Sequence, residues 1–313
     1  MKDFRWPPPP DGGPRTYGPG PTGPRAGRPT LPGPPTELIE TPHGVRLEQL
    51  VTGVGEPVTV FAHGLGSDIT STRPLGSAVS GRRVFFHFRG HGRSDAPPGP
   101  WSFADLAADV RAIADLSGAT RALGVSMGSG ALCRLLASTP DRFERVVLYL
   151  PAPLDGVRPP VARARFERLL AAIESGEAAS VAEAVEPELP PSVRNTPTGW
   201  SYLRQRVEQL LRDGLAPQLD TLWRAAAVPD ESVLRAFRGD AMVIGCLGDD
   251  VHPVAVAERL AGLLPGARLH VYDRPAVLWN NRRELRDRIS AFLNRPTPPG
   301  TSRSCPGRPR NPR

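Results

Sequence analysis

Apolar residues fall unevenly along the 313-residue chain. Short continuous runs occur at Val58–Ala62, Val84–Phe88, Ala122–Val125, Val146–Leu150 and Ala241–Leu247. Runs of this length and content read as strands buried on both faces. Between them the spacing changes. Phe103 to Ser117 places Leu106, Val110, Ile113 and Leu116 on one helical face, and Met127 to Ser138 continues through Leu132, Leu135 and Leu136. Near the end, Val254 to Leu264 and Arg282 to Leu293 are predicted as helices around a strand at Arg268–Tyr272. At the start, Leu38–Ile39 and Val45–Val51 flank the turn Thr41-Pro42-His43-Gly44 as an opening hairpin. Strands alternating with helices predict a mostly parallel central sheet with helices on both faces, and place function at the strand C-terminal ends.

Two kinds of segment interrupt the alternation. Residues 155 to 238 hold helical patterns at Val161–Ser175, Ser201–Asp213 and Leu219–Ala227, joined by proline-rich stretches such as Pro187 to Pro197. They read as an inserted helical cap. Residues 1–36 and 295–313 are Pro, Gly, Arg, Ser and Thr with almost no aliphatic side chains. They have too little apolar surface to offset chain entropy and are expected to be disordered tails flanking one domain at 37–294. The twelve prolines of the first 36 residues read as a flexible low-complexity end, with a polyproline II docking segment as the rival.

The net charge of +7 changes meaning once it is partitioned. Residues 295–313 carry five Arg and no acid, and residues 1–36 carry Lys2 and four Arg against two Asp, so the core is close to neutral. A basic groove is absent from the pattern, and no nucleic-acid partner is expected. Cys133, Cys246 and Cys305 form no paired spacing, so neither a disulfide framework nor a thiolate metal site is expected. No run approaches 18 apolar residues, which argues against a membrane span. The expectation is a cytoplasmic protein with a small-molecule substrate, no metal and no cofactor; oligomeric state leaves no mark on the sequence.

The candidate chemistry centres on Gly124-Val125-Ser126-Met127-Gly128, between a strand and a small-residue helix start. In that context G-x-S-x-G forms a tight turn that lifts the serine hydroxyl above the sheet edge, with the flanking glycines required where strand and helix backbones nearly touch. A glycine-rich turn with an incidental serine is the plainer reading of the pentapeptide alone. Three other motifs end predicted strands: His63-Gly64-Leu65-Gly66, Phe88-Arg89-Gly90-His91-Gly92-Arg93-Ser94-Asp95 and Gly248-Asp249-Asp250-Val251-His252-Pro253. Together, in this order, they resemble the α/β-hydrolase superfamily over nearly all of residues 37 to 294.

The resemblance implies an α/β-hydrolase fold with an inserted helical cap, and a serine hydrolase of small esters, thioesters or amides. It implies Ser126 as nucleophile, the N–H groups of Leu65 and Met127 as oxyanion hole, and Asp249 as the triad acid, with Asp250 and the more distant Asp155 as alternates. His63 and His91 match positions that shape glycine turns. Leu203, Leu210, Leu222 and Trp223 either line a pocket or form the cap's own core.

One feature departs from the family. Its general base is a histidine in the loop after the last strand, and Asp273 to Asn281 contains none. His252 is a substitute on the reactive side of the sheet, although Asp249, three residues earlier, is not expected to orient a ring in its own turn. His270 lies too early in its strand to reach the reactive edge. The rival is a catalytically silent binding protein. Asn281, with Glu284 three residues on, is expected to cap the last helix. The two readings part on whether an imidazole reaches Ser126 Oγ.

Overall fold

The computed structural model describes residues 35–211 and 215–296. Nearly all of the expected tails lies outside the described residues; only Pro35, Thr36, Arg295 and Pro296 are included. Eight strands form one sheet: β1 Glu37–Glu40, β2 Arg46–Thr52, β3 Val58–Ala62, β4 Arg82–Phe86, β5 Arg121–Val125, β6 Arg145–Tyr149, β7 Asp240–Cys246 and β8 Arg268–Tyr272. Their order is β1-β2-β4-β3-β5-β6-β7-β8. The β1–β2 hairpin and the β2–β4 pair are antiparallel, and every later pair is parallel.

The helices are α1 Ile69–Gly76, α2 Phe103–Ser117 and α3 Met127–Ser138. The cap helices follow: α4 Pro160–Ser175, α5 Ala178–Val185, α6 Pro191–Arg194, α7 Pro197–Leu210 and α8 Leu215–Arg224. Then come α9 Val254–Leu263, α10 Val277–Asn280 and α11 Arg282–Leu293. The strands divide their side chains between two cores. Val58, Val60 and Ala62 of β3, with Val146 and Leu148 of β6, pack on α2, α3 and α9. Phe61, Val147 and Tyr149 face α1 and α11. This two-sided burial is why the central strands read as continuous apolar runs. A third core lies inside the cap, with Phe166, Ile173, Val181, Leu203, Val207 and Leu210.

The observed α2 and α3 match the predicted ranges. Ser102 and Asp105 form a reciprocal capping box before α2, and Gly118 closes it at φ 72°. Sequence pattern did not predict α1, which is short, polar and interrupted by Pro74. The cap has five helices rather than three segments, because α5 is built largely of alanine and α6 is a single turn between prolines. No helix among the described residues is long and apolar enough to cross a membrane.

Candidate active site

Ser126 sits at φ 50°, ψ −109°, between β5 and α3. A side chain rarely adopts that conformation, and the surrounding backbone enforces it. A Cβ on Gly124 would lie 2.6 Å from the Gly128 carbonyl carbon, and one on Gly128 would lie 2.4 Å from the Ala62 carbonyl oxygen. Strand, turn and helix therefore meet as closely as atoms permit. Ser126 N–H donates to the Tyr149 carbonyl at 3.0 Å, tying the turn to β6. The hydroxyl emerges at the C-terminal edge of the sheet, half-buried.

His252 Nε2 lies 2.8 Å from Ser126 Oγ, and His252 Nδ1 lies 3.1 Å from Asp249 Oδ2. With its proton on Nδ1, the ring donates to Asp249 and accepts from the Ser126 hydroxyl. This corrects the expectation that Asp249 is unable to orient a ring in its own turn. The two carboxylate oxygens divide the work. Oδ1 accepts the backbone N–H groups of Val251 and His252 at 2.9 and 3.0 Å, shaping the turn after β7, which leaves Oδ2 for the ring. Pro253, at the start of α9, disfavours helical backbone at His252 and keeps it out of the helix. Burial pushes the Asp249 carboxyl up, but the His252 charge, its ring N–H and the two backbone N–H groups outweigh this and hold it well below the usual carboxylate range.

Leu65 and Met127 line the same cavity as Ser126 and His252. Among the described residues neither the Leu65 nor the Met127 N–H meets an acceptor. Met127 opens α3, where the helix dipole favours negative charge. The Leu65 loop is held from both sides. From the sheet, Gly66 N–H donates to His91 Nε2 at 3.1 Å. From the cap, Arg206 of α7 donates to the Gly66 carbonyl, and a Cβ on Gly66 would strike Leu210 at 2.6 Å.

The remaining candidates fall away from the hydroxyl. His63 is fully buried, with Nδ1 2.8 Å from the Gly64 carbonyl and Nε2 accepting the Phe88 N–H at 3.2 Å. Burial and the neighbouring His91 and His87 rings push its pKa well down. The His270 ring meets the Tyr272 ring edge to face in β8. Asp250 is exposed, and Asp155 pairs with Arg259 at 2.8 Å. Asn281 precedes α11 without a side-chain capping bond, and its Oδ1 is buried with no partner among the described residues. Glu284, expected to complete that cap, bonds Tyr272 Oη and Arg288 instead. Asn281 opens α11, whose last residues meet Arg121 and Arg145 at the strand starts, so it lies toward the same end of the sheet as Ser126, but it does not line the cavity that holds Ser126 and His252. Leu203 and Leu210 lie in the cap core, whereas Leu222 and Trp223 line the cavity. Burial pushes the Cys133 thiol up to about 12, and burial with Asp249 and Asp273 pushes Cys246 up to about 11, so neither is a thiolate at neutral pH. Among the described residues no group of three or more His, Cys, Asp or Glu is placed to hold a metal ion.

Sequence reasoning passed over Arg158. It lies between β6 and α4, is 9% exposed, and lines the Ser126 cavity with Phe103, Ala152, Pro153 and Val251. No spacing or motif marks it among so many arginines.

Comparison with known proteins places this geometry in context. The profile of the alpha/beta hydrolase fold family matches residues 57–275. A Caulobacter segnis protein named as a carbamate hydrolase is 34% identical over 100 residues, 30% of this chain and 38% of that protein. The non-heme chloroperoxidase of Streptomyces lividans is 40% identical over 106 residues, 32% of this chain and 38% of that protein. The matched segments thus span well under half of either curated relative. Among solved structures, an enol-lactonase from Burkholderia xenovorans LB400 superposes with TM-score 0.69 and 22% identity, over 83% of this chain and 100% of that one. A bromoperoxidase from Bacillus anthracis superposes with TM-score 0.70 and 17% identity, over 83% and 99%. At these identities the likeness is one of fold.

Proposed function

This chain belongs to the α/β-hydrolase fold family, and we propose that it is a serine hydrolase of small carboxylic esters, thioesters or amides. The observation that carries the reading is the continuous line Asp249–His252–Ser126, with hydrogen-bond distances of 3.1 and 2.8 Å. His252 Nε2 takes the Ser126 proton as Oγ attacks the substrate carbonyl, and Asp249 fixes the ring's tautomer and stabilises the imidazolium. The carbonyl oxygen becomes an oxyanion between the Leu65 and Met127 N–H groups, where fixed donors stabilise it by about 3 kcal/mol each. His252 then returns the proton to the leaving oxygen, sulfur or nitrogen, leaving an acyl ester on Ser126. Water, deprotonated by the same imidazole, cleaves that ester and restores the hydroxyl.

The silent-binding reading required that no imidazole reach Ser126 Oγ; the His252 contact removes its premise. The names of the relatives, a carbamate hydrolase and an enol-lactonase, lie in the same reaction class. A cytoplasmic location is part of this reading, supported by the free, buried thiols of Cys133 and Cys246. A fluorophosphonate probe at neutral pH tests the nucleophile. Wild-type protein should label and Ser126→Ala should not, whereas equal labelling of both would place the reactive group elsewhere.

A further inference from the structure

A guanidinium is among the most costly groups to bury without a partner, and Arg158 is buried in that way. Its Nε and Nη1 have no hydrogen-bond acceptor among the described residues. The acids closest along the adjoining cavity wall, Asp155 and Glu231, both pair with Arg259, at 2.8 and 2.6 Å. What holds Arg158 is a ring: its guanidinium carbon lies 4.5 Å from the centre of Trp223, which stacks on Phe166 at 4.3 Å. A cation held over a ring in this way is positioned without spending its N–H donors. Burial pulls its pKa down to about 10, against a smaller opposing pull from Asp155, so the group remains a cation at neutral pH. Both Arg158 and Trp223 line the cavity that holds Ser126 and His252.

We propose that Arg158 is a carboxylate subsite, so that the preferred substrate is an ester, thioester or amide bearing a free carboxylate on one side of the scissile bond. The proposal rests on the hydrolase reading above for the word substrate; the subsite itself rests on the unpartnered fork, its aromatic platform and the shared cavity. A carboxylate is the ligand that a planar, pre-oriented guanidinium recognises through two parallel hydrogen bonds. Its arrival supplies the counter-charge the fold withholds. Phe103, Leu222 and Trp223 give the rest of the lining an apolar character suited to a short carbon chain.

Matched substrate pairs test this. On the acyl side, p-nitrophenyl hydrogen glutarate is compared with p-nitrophenyl pentanoate; on the alcohol side, 4-butanoyloxybenzoate is compared with its methyl ester. Wild-type protein should favour the charged member of one pair by about tenfold or more in kcat/KM, as a charge-assisted pair provides. That ratio should fall to near one in Arg158→Gln and survive in part in Arg158→Lys. The melting temperature of Arg158→Gln should equal or exceed that of wild type, because an unpaired buried charge is removed; a merely structural arginine would lower it. Glutarate binding to Ser126→Ala, with and without Arg158→Gln, separates the two readings. Hydrolysis of every ester with ratios near one overturns the subsite and leaves the hydrolase. Glutarate binding that depends on Arg158, without hydrolysis of any ester, overturns the hydrolase and leaves the subsite. No Arg158-dependent binding together with ratios near one overturns the proposal.

Discussion

Ser126 keeps an unfavourable backbone conformation where Gly124 and Gly128, two residues before and after it, leave no Cβ between strand and helix. Gly128→Ala would press a methyl group to 2.4 Å from the Ala62 carbonyl. The variant should lose about 1–3 kcal/mol of stability, as overpacking of a closed core does, read as a lower denaturant midpoint at unchanged slope. Asp249 has two tasks, and Asp249→Asn should damage both. Activity should fall about 10⁴-fold, because an amide fixes the wrong tautomer of His252. The pH dependence of stability should change as well. The folded pKa of Asp249 lies below its unfolded value, so its contribution is complete above the unfolded pKa and is lost as pH falls toward the folded one. Wild-type stability should therefore drop on acidification below about pH 4, and Asp249→Asn should flatten part of that drop in acid titrations of the melting temperature. These residues were largely legible in the sequence: Ser126, Met127, Leu65 and Asp249 come from short motifs at strand ends. His252 was legible as a candidate but not as the partner of Asp249. A single carboxylate serving a turn through one oxygen and a ring through the other is a matter of ångströms, which spacing alone does not encode.

At the scale of elements, the cap reaches into the site through α7. Arg206 joins Glu188 of the cap to the Gly66 carbonyl, and Gln209 reaches Asp68 at the start of α1. Arg206→Met should cost on the order of 2 kcal/mol of stability, less than breaking a fully buried pair because the Glu188 side chain keeps 27% of its exposure. It should also lower kcat more than it raises KM, because the Leu65 loop loses its support from above while substrate contacts elsewhere remain; steady-state kinetics on one neutral ester separates the two. Helix α7 was legible from its periodic apolar face, although its first turn was not, since Pro197 reads as a break and serves as the first helical residue. At eight residues each, α5 and α1 are too short for their apolar spacing to declare a helix; tertiary packing on Val181 and Val185, and on Ile69 and Leu75, decides them.

Across the whole molecule, the sheet sends the elbow serine, the Leu65 loop and the Asp249–His252 turn to one edge, as an open parallel sheet does. Its far end is closed by arginines. Arg121 and Arg145, each 4% exposed, donate to the carbonyls of Leu293, Arg295 and Pro296. A chain ending at Leu293 should melt several degrees lower than one ending at Pro296, because both guanidinium groups lose acceptors. This grip was hidden in the sequence, because no spacing sets Arg121 and Arg145 apart from the chain's many other arginines.

In the proposed mechanism the base comes from the acid's own turn. The most direct measurement of that role is kcat for p-nitrophenyl acetate in wild type, His252→Ala and His270→Ala. His252→Ala should fall by about 10⁶-fold, to background, with His270→Ala close to wild type. A His252→Ala protein retaining activity within tenfold of wild type would contradict this mechanism.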